Sequence, residues 1–215
     1  MTQLVHILSH LQDYILPLFS WLGNWSYVTL FLLIFAETGL VVFPWLPGES
    51  LIFVTSAIAA ATQSNLDIAV LVPIFFFAAV LGDTLNFRIG MWLLHFDFIN
   101  KRLRGGIERG EAFFTRYGGR AVIFGRFVPL IRTFVPLLAG SAKMSERRFA
   151  LLNVIGVGLW VTVGSVLGYY FGRLPFVQAH FAWIFLAVAL IGIVPGFIMG
   201  LVRYFQRHSN HFYEP

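Results

Sequence analysis

The chain predicts an all-α integral membrane protein, and three observations carry that expectation. Its 215 residues are 58% hydrophobic and only 12% charged, about half the ~25% charged share of a soluble domain. Three apolar stretches, at about 68–95, 149–172 and 181–202, reach the ~20 residues that a spanning helix needs. Two shorter apolar stretches are broken by prolines and carry ionisable side chains, which lipid alone does not tolerate. In finer detail, the order of the segments predicts an inverted repeat: two opposed re-entrant helical hairpins plus transmembrane helices.

Residues 1–26 read as an N-terminal amphipathic helix, because His6, His10, Asp13 and Pro17 interrupt the leucines and isoleucines and leave an interfacial helix more favourable than a full span. A basic n-region and a small-residue cleavage site are both missing. The pair His6-x-x-x-His10 would face one way on a helix, but no acidic third ligand stands at useful spacing, so interfacial histidines are preferred to a metal site.

The first hairpin is expected at about 27–63. Tyr27–Phe43 is apolar except for Glu37, then breaks at Phe43-Pro44-Trp45-Leu46-Pro47-Gly48-Glu49, and Ser50–Ala61 is apolar again. Both limbs are too short to span, so a re-entrant loop is the economical reading. Ile68–His95 is long enough to span, although Asp83 and Arg88 interrupt it. Phe96–Arg120 is a basic connector that reads as containing an amphipathic helix. The second hairpin is expected at about 119–142, where Arg126 and Arg132 stand beside Pro129 and Pro136. Phe149–Gly172 and Phe181–Val202 follow as spans, with Gly164, Gly168 and Gly172 on the first at the small-residue spacing that lets helices approach closely. Residues 204–215 read as a cytoplasmic tail.

Charge counting separates a hairpin from a span at 121–142. No Lys or Arg precedes Arg88. With a hairpin there, eleven cations (six from Lys101 to Arg120, then Lys143, Arg147, Arg148, Arg203 and Arg207) share the cytoplasmic side against Arg173 alone. A span would leave seven against five. The positive-inside rule prefers the hairpin, entering from the cytoplasm, and places the first hairpin on the opposite face. That arrangement puts a binding site near the midplane between broken helices. The net charge of +5, so distributed, marks membrane orientation and not nucleic-acid binding. Cysteine is absent, which removes disulfides and thiolate metal sites, and no cofactor is expected.

The intramembrane ionisable set is Glu37, Glu49, Asp83, Arg88, Arg126 and Arg132. One reading is purely structural, with acids and arginines pairing to hold the hairpins together; Arg88, near a helix end, would snorkel. The functional reading gives Arg126 and Arg132 a phosphate, which guanidinium groups grip bidentately. Residues six apart on a straight helix point about 240° apart, so convergence on one anion needs the break at Pro129. Glu37, Glu49 and Asp83 would be proton carriers or counter-ions, since a carboxyl in low dielectric takes up a proton more readily than in water.

At these residues the chain resembles the DedA family, within the wider group sharing the VTT or SNARE-associated domain. The carrying motifs are Phe35-Ala-Glu37-Thr-Gly39, Phe43-Pro-x-Leu-Pro-Gly-Glu-Ser50, Gly82-Asp83, Gly125-Arg-Phe-Val-Pro-x-x-Arg-Thr-Phe-x-Pro-x-x-Ala-Gly140 and Asn153-x-x-Gly156-x-x-x-Trp160. They extend over about 27–203, the single membrane domain. The resemblance implies a protein of the bacterial inner membrane with two opposed re-entrant hairpins that moves undecaprenyl phosphate for carrier recycling in cell-envelope synthesis and draws on the proton motive force; the charge count adds a multi-pass arrangement with the C-terminus cytoplasmic. It also implies that the family's acidic pair falls on Glu37 and Glu49 and its arginine pair on Arg126 and Arg132. The family often has aspartate where this chain has Glu49, one methylene longer.

Partners expected are membrane lipids, undecaprenyl phosphate and protons, with a homo-oligomer left open. Alternatives are a proton-coupled exporter of small solutes or drugs, a broader phospholipid scramblase, and a lipid-pyrophosphate phosphatase. The last needs a histidine close to the arginines, and the histidines fall outside both hairpins, so no enzyme is expected.

Overall fold

A computed structural model describes residues 21–40, 48–60, 66–93, 114, 116–127 and 131–179, and every regular element among them is helical. In chain order these are α1 (Trp25–Gly39), α2 (Gly48–Ala59), α3 (Ile68–Leu93), α4 (Arg120–Phe124) running into a 3-10 turn at Gly125–Phe127, α5 (Ile131–Ser141), α6 (Glu146–Gly172) and α7 (Pro175–Ala179). Most of the expected N-terminal helix (residues 1–20), the expected span at 181–202, the tail and the prolines Pro44, Pro47 and Pro129 lie outside the described residues.

Helix length sorts these elements into two kinds. At 1.5 Å per residue, α3 and α6 reach about 40 Å and exceed the ~30 Å hydrocarbon core. Both are apolar enough to cross a membrane. The helices α1, α2 and α5 reach only about 16–23 Å. Pro136 lies inside α5, which corrects its expected role as a hairpin break. A proline there removes one i→i−4 bond, yet the helix continues, packed on α3; α3 likewise carries Pro73 within it.

Each short helix packs on one long helix, in a crossed pattern: α1 and α5 lie on α3, while α2 and α4 lie on α6. The backbone N–H of Asp67, just before α3, donates to the Tyr27 hydroxyl at 2.9 Å, and Gly39 at the other end of α1 lies against Gly82. The helix α1 therefore runs parallel to the first half of α3. Small residues make the other contacts. A side chain at Gly140 would run into the Phe87 backbone, one at Gly156 into Ile123, and one at Gly168 into Phe53. Gly168 and Gly172 thus serve the close approach that their spacing predicts. The helices α3 and α6 are antiparallel: Phe87 stacks on Phe149 with centroids 4.2 Å apart, and Arg88 Nε stands 3.9 Å from the Glu146 carboxylate.

The distribution of polarity is that of a membrane protein. Large apolar side chains face outward, including Leu151, Ile155, Leu159 and Val163 along one stripe of α6 and Trp25 and Phe77 elsewhere. Buried in the interior are Glu37, Asp83, Asn86, Arg126 and Asn153. A soluble domain shows the reverse, because buried charge is costly and exposed apolar stripes associate.

Candidate functional site

The polar residues of the interior form one cluster where five elements meet. Glu37 stands two residues from the end of α1, and Asp83 is the sixteenth of 26 residues in α3. Arg126 comes from the 3-10 turn after α4, and Arg132 is the second residue of α5. Trp160 is the fifteenth of 27 residues in α6. The cluster therefore lies at the middle of both long helices.

Two ion pairs organise it. Arg126 pairs with Asp83, and Arg132 pairs with Glu37. With Glu37 only 1% exposed, Asp83 2% and Arg126 6%, none of these charges is solvated, and each depends on its partner. The four formal charges cancel. Arg126 Nη2 also donates to Asn153 Oδ1 at 2.7 Å. Both guanidinium carbons lie over the Trp160 ring, Arg126 at 5.7 Å and Arg132 at 5.4 Å from its centroid, within cation–π range. The indole thus gathers two arginines that a straight helix would aim apart.

Helix ends shape the local field. Gly48, the first residue of α2, packs so closely on the Glu37 carboxylate that a Cβ there would collide with it. A carboxylate beside a helix N-terminus is favourably placed. Arg132, by contrast, begins α5, where a cation opposes the helix dipole. Glu37 offsets that conflict, and any other anion in its place would gain the same attraction. Asn86 holds the two helix pairs together: its Nδ2 donates to the carbonyl of Thr38 in α1 at 3.2 Å and to that of Thr133 in α5 at 2.8 Å. Arg126 Nε and Asn153 Nδ2 are buried donors with no hydrogen-bond acceptor among the described residues. Spare donors around paired arginines favour an oxyanion.

Of the residues expected from the sequence, Glu37, Asp83, Arg126, Arg132 and Gly48 come together. The Glu49 side chain is outside the described set. Arg88 is not part of the cluster, since it reaches the exposed Glu146 instead, in keeping with snorkelling. Asn86 had no role assigned from sequence, although an amide three residues after Asp83 shares its helix face. Asn153 and Trp160 stand in a motif of the resemblance, yet only the fold shows what they touch.

Comparison with known proteins gives the family. The VTT domain family matches residues 46–170. The chain is 38% identical over 199 residues to Protein DedA of Escherichia coli (strain K12), covering 91% of each chain. It is 33% identical over 162 residues to the inner membrane protein YghB of the same organism, covering 72% of this chain and 71% of that one. An uncharacterized membrane protein of Mycobacterium tuberculosis is 34% identical over 183 residues, covering 83% of this chain and 80% of that one. No solved structure matches the chain. Coverage of almost the whole chain, with apolar spans and a buried charge cluster, identifies it as a membrane protein of the DedA family carrying the VTT domain.

Proposed function

We propose that the protein is a lipid-phosphate transporter of the bacterial inner membrane, a flippase that moves undecaprenyl phosphate between leaflets with the proton motive force, and that it is not an enzyme. One observation carries the reading: two arginines, Arg126 buried and Arg132 nearly so, each paired with an acid and both over Trp160, stand halfway along the spanning helices, with spare buried donors on Arg126 and Asn153. A phosphate headgroup cannot cross hydrocarbon unaided. A cationic site at the midplane removes that obstacle while the isoprenoid tail stays in lipid. The choice of undecaprenyl phosphate within this chemistry rests on the resemblance to the DedA family.

The packing supports a matching topology. In this reading α1 and α2 are the limbs of a hairpin that enters from the side where α3 begins, and α4 and α5 are those of a second that enters from the side where α3 ends. The crossed packing of the four limbs on α3 and α6 has the exchange symmetry of an inverted repeat. The excess of Lys and Arg in the connectors favours a cytoplasmic side for the second hairpin and the C-terminus.

Charge balance links transport to protons. The resting site is neutral, and a phosphomonoester brings between one and two negative charges near neutral pH. Its arrival releases Glu37 and Asp83 from the arginines. Protonation of these carboxylates then restores neutrality, so one to two protons accompany each headgroup. The test is reconstitution in liposomes with undecaprenyl phosphate followed between leaflets under an imposed pH gradient. Gradient-dependent movement is expected. Movement of small cations without lipid would replace the reading with an exporter, equal movement of bulk phospholipids would replace it with a scramblase, and release of inorganic phosphate would make it an enzyme.

A further inference from the structure

A second cationic feature stands apart from the buried cluster. At the base of the second helix pair, where α4 begins and α5 ends, a cavity of about 460 Å³ is lined by Phe114, Gly118, Lys143, Met144 and Arg148 among others. Lys143 and Arg148 are exposed, whereas Phe114 and Met144 are half-buried and pack on the apolar cluster of Phe87, Val122 and Phe149. The cavity thus pairs two cations with an apolar floor. Its size lies within the range of small-ligand sites.

Lys143 is held there at a conformational cost. Its φ of 55° makes it the one non-glycine among the described residues with positive φ. It follows the end of α5, its N–H donating to the Gly140 carbonyl and that of Met144 to the Ala139 carbonyl, both at 3.1 Å. Glycine ordinarily fills this left-handed position. A cation near a helix C-terminus is favourable, but that explains neither the left-handed backbone nor the joint facing of one cavity with Arg148. The nearest acid in sequence, Glu146, is turned toward Arg88 on α3. Along α5, Lys143 lies eleven residues from Arg132, about 16 Å at helical rise and roughly half the hydrocarbon thickness. The cavity is therefore at headgroup depth on the face from which the second hairpin enters.

We propose that this cavity is an interfacial phosphate site, in which Lys143 and Arg148 hold the headgroup of a lipid phosphomonoester before it passes to Arg126 and Arg132; the inference rests on the lipid-phosphate reading of the buried site. Phe114 and Met144 would take the first carbons of the chain. Together the cations act as a selectivity step, favouring anionic headgroups while the buried ion pairs are still closed.

Lys143→Gly is an unusually clean probe, because it deletes the charge while giving the backbone its preferred residue, so lost folding cannot explain lost function. Lys143→Gly and Arg148→Gln are each expected to raise the half-saturating mole fraction of undecaprenyl phosphate in reconstituted transport by about fivefold. The loss falls on half-saturation and not on the maximal rate, and the Lys143→Gly melting temperature is equal to or above wild type. In neutral detergent, n-dodecyl phosphate should raise the melting temperature of the full chain, less so in the doubly substituted protein, and inorganic phosphate should do so only weakly. Wild-type protein that moves no undecaprenyl phosphate overturns the flippase reading. Transport by wild type with unchanged half-saturation in both variants overturns this site and leaves the flippase reading standing. Equal stabilisation by inorganic phosphate overturns its assignment to a lipid.

Discussion

Arg132 of α5 reaches Glu37 of α1, ninety-five residues earlier in the chain, and closes an ion pair across the two helix pairs. The acid is buried, so removing the arginine alone takes the counter-charge away from a buried carboxylate. Arg132→Gln is expected to cost about 3–5 kcal/mol, enough to lower both yield and melting temperature. The paired change Glu37→Gln with Arg132→Gln removes both charges and should recover most of that stability while abolishing lipid transport. Thermal unfolding in detergent across the double-mutant cycle measures the coupling. Additive losses would mean that the two side chains do not interact.

Gly48 is the point where the first helix pair touches the charge cluster. A methyl group there would occupy the space of the Glu37 carboxylate. Gly48→Ala is therefore expected to push Glu37 off Arg132 and abolish transport, although alanine is the better helix former. The same substitution at Gly158, which meets only the Phe76 ring edge at 3.8 Å, is the control and should be silent. Equal transport by both variants would show that the fit at Gly48 has no functional weight.

How much of this was legible in the sequence depends on the range of the interaction. Helix lengths and small-residue contacts are local or periodic, so the spans at α3 and α6 and the glycines facing α2 could be read from spacing. The ionisable residues stood out because lipid penalises them wherever they fall. Partner choice is a property of tertiary packing: nothing local told Asp83 to pair with Arg126 in preference to Arg88, five residues away on its own helix. Pro136 misled for the complementary reason. A proline breaks an isolated helix, but α5, packed on α3, continues through it.

Trp160 lies within 5.7 Å of both guanidinium carbons and should govern how they converge. Trp160→Leu keeps the bulk apolar and removes the ring quadrupole, at about 0.5–2 kcal/mol for each contact. Half-saturation for undecaprenyl phosphate is expected to rise by about tenfold, with Trp160→Phe intermediate. If Leu and Phe behave alike, the indole is packing material only.

Proton coupling makes the sharpest demand on Glu37. In the neutral resting site its negative charge balances Arg132, and a phosphate taking its place leaves it needing a proton. Acidifying the compartment from which lipid enters should therefore speed wild-type transport, because protonation and phosphate binding favour each other. Glu37→Gln mimics the protonated carboxyl: it cannot release a proton at the end of the cycle, so any remaining movement should lose its response to the pH gradient. Asp83→Asn tests whether the second pair carries a proton too, since a two-proton cycle would retain a weaker gradient response in either single variant. Vesicles with fixed internal pH and a stepped external pH give the measurement. An undiminished pH response in Glu37→Gln would remove Glu37 from the coupling and leave it as the structural counter-ion of Arg132.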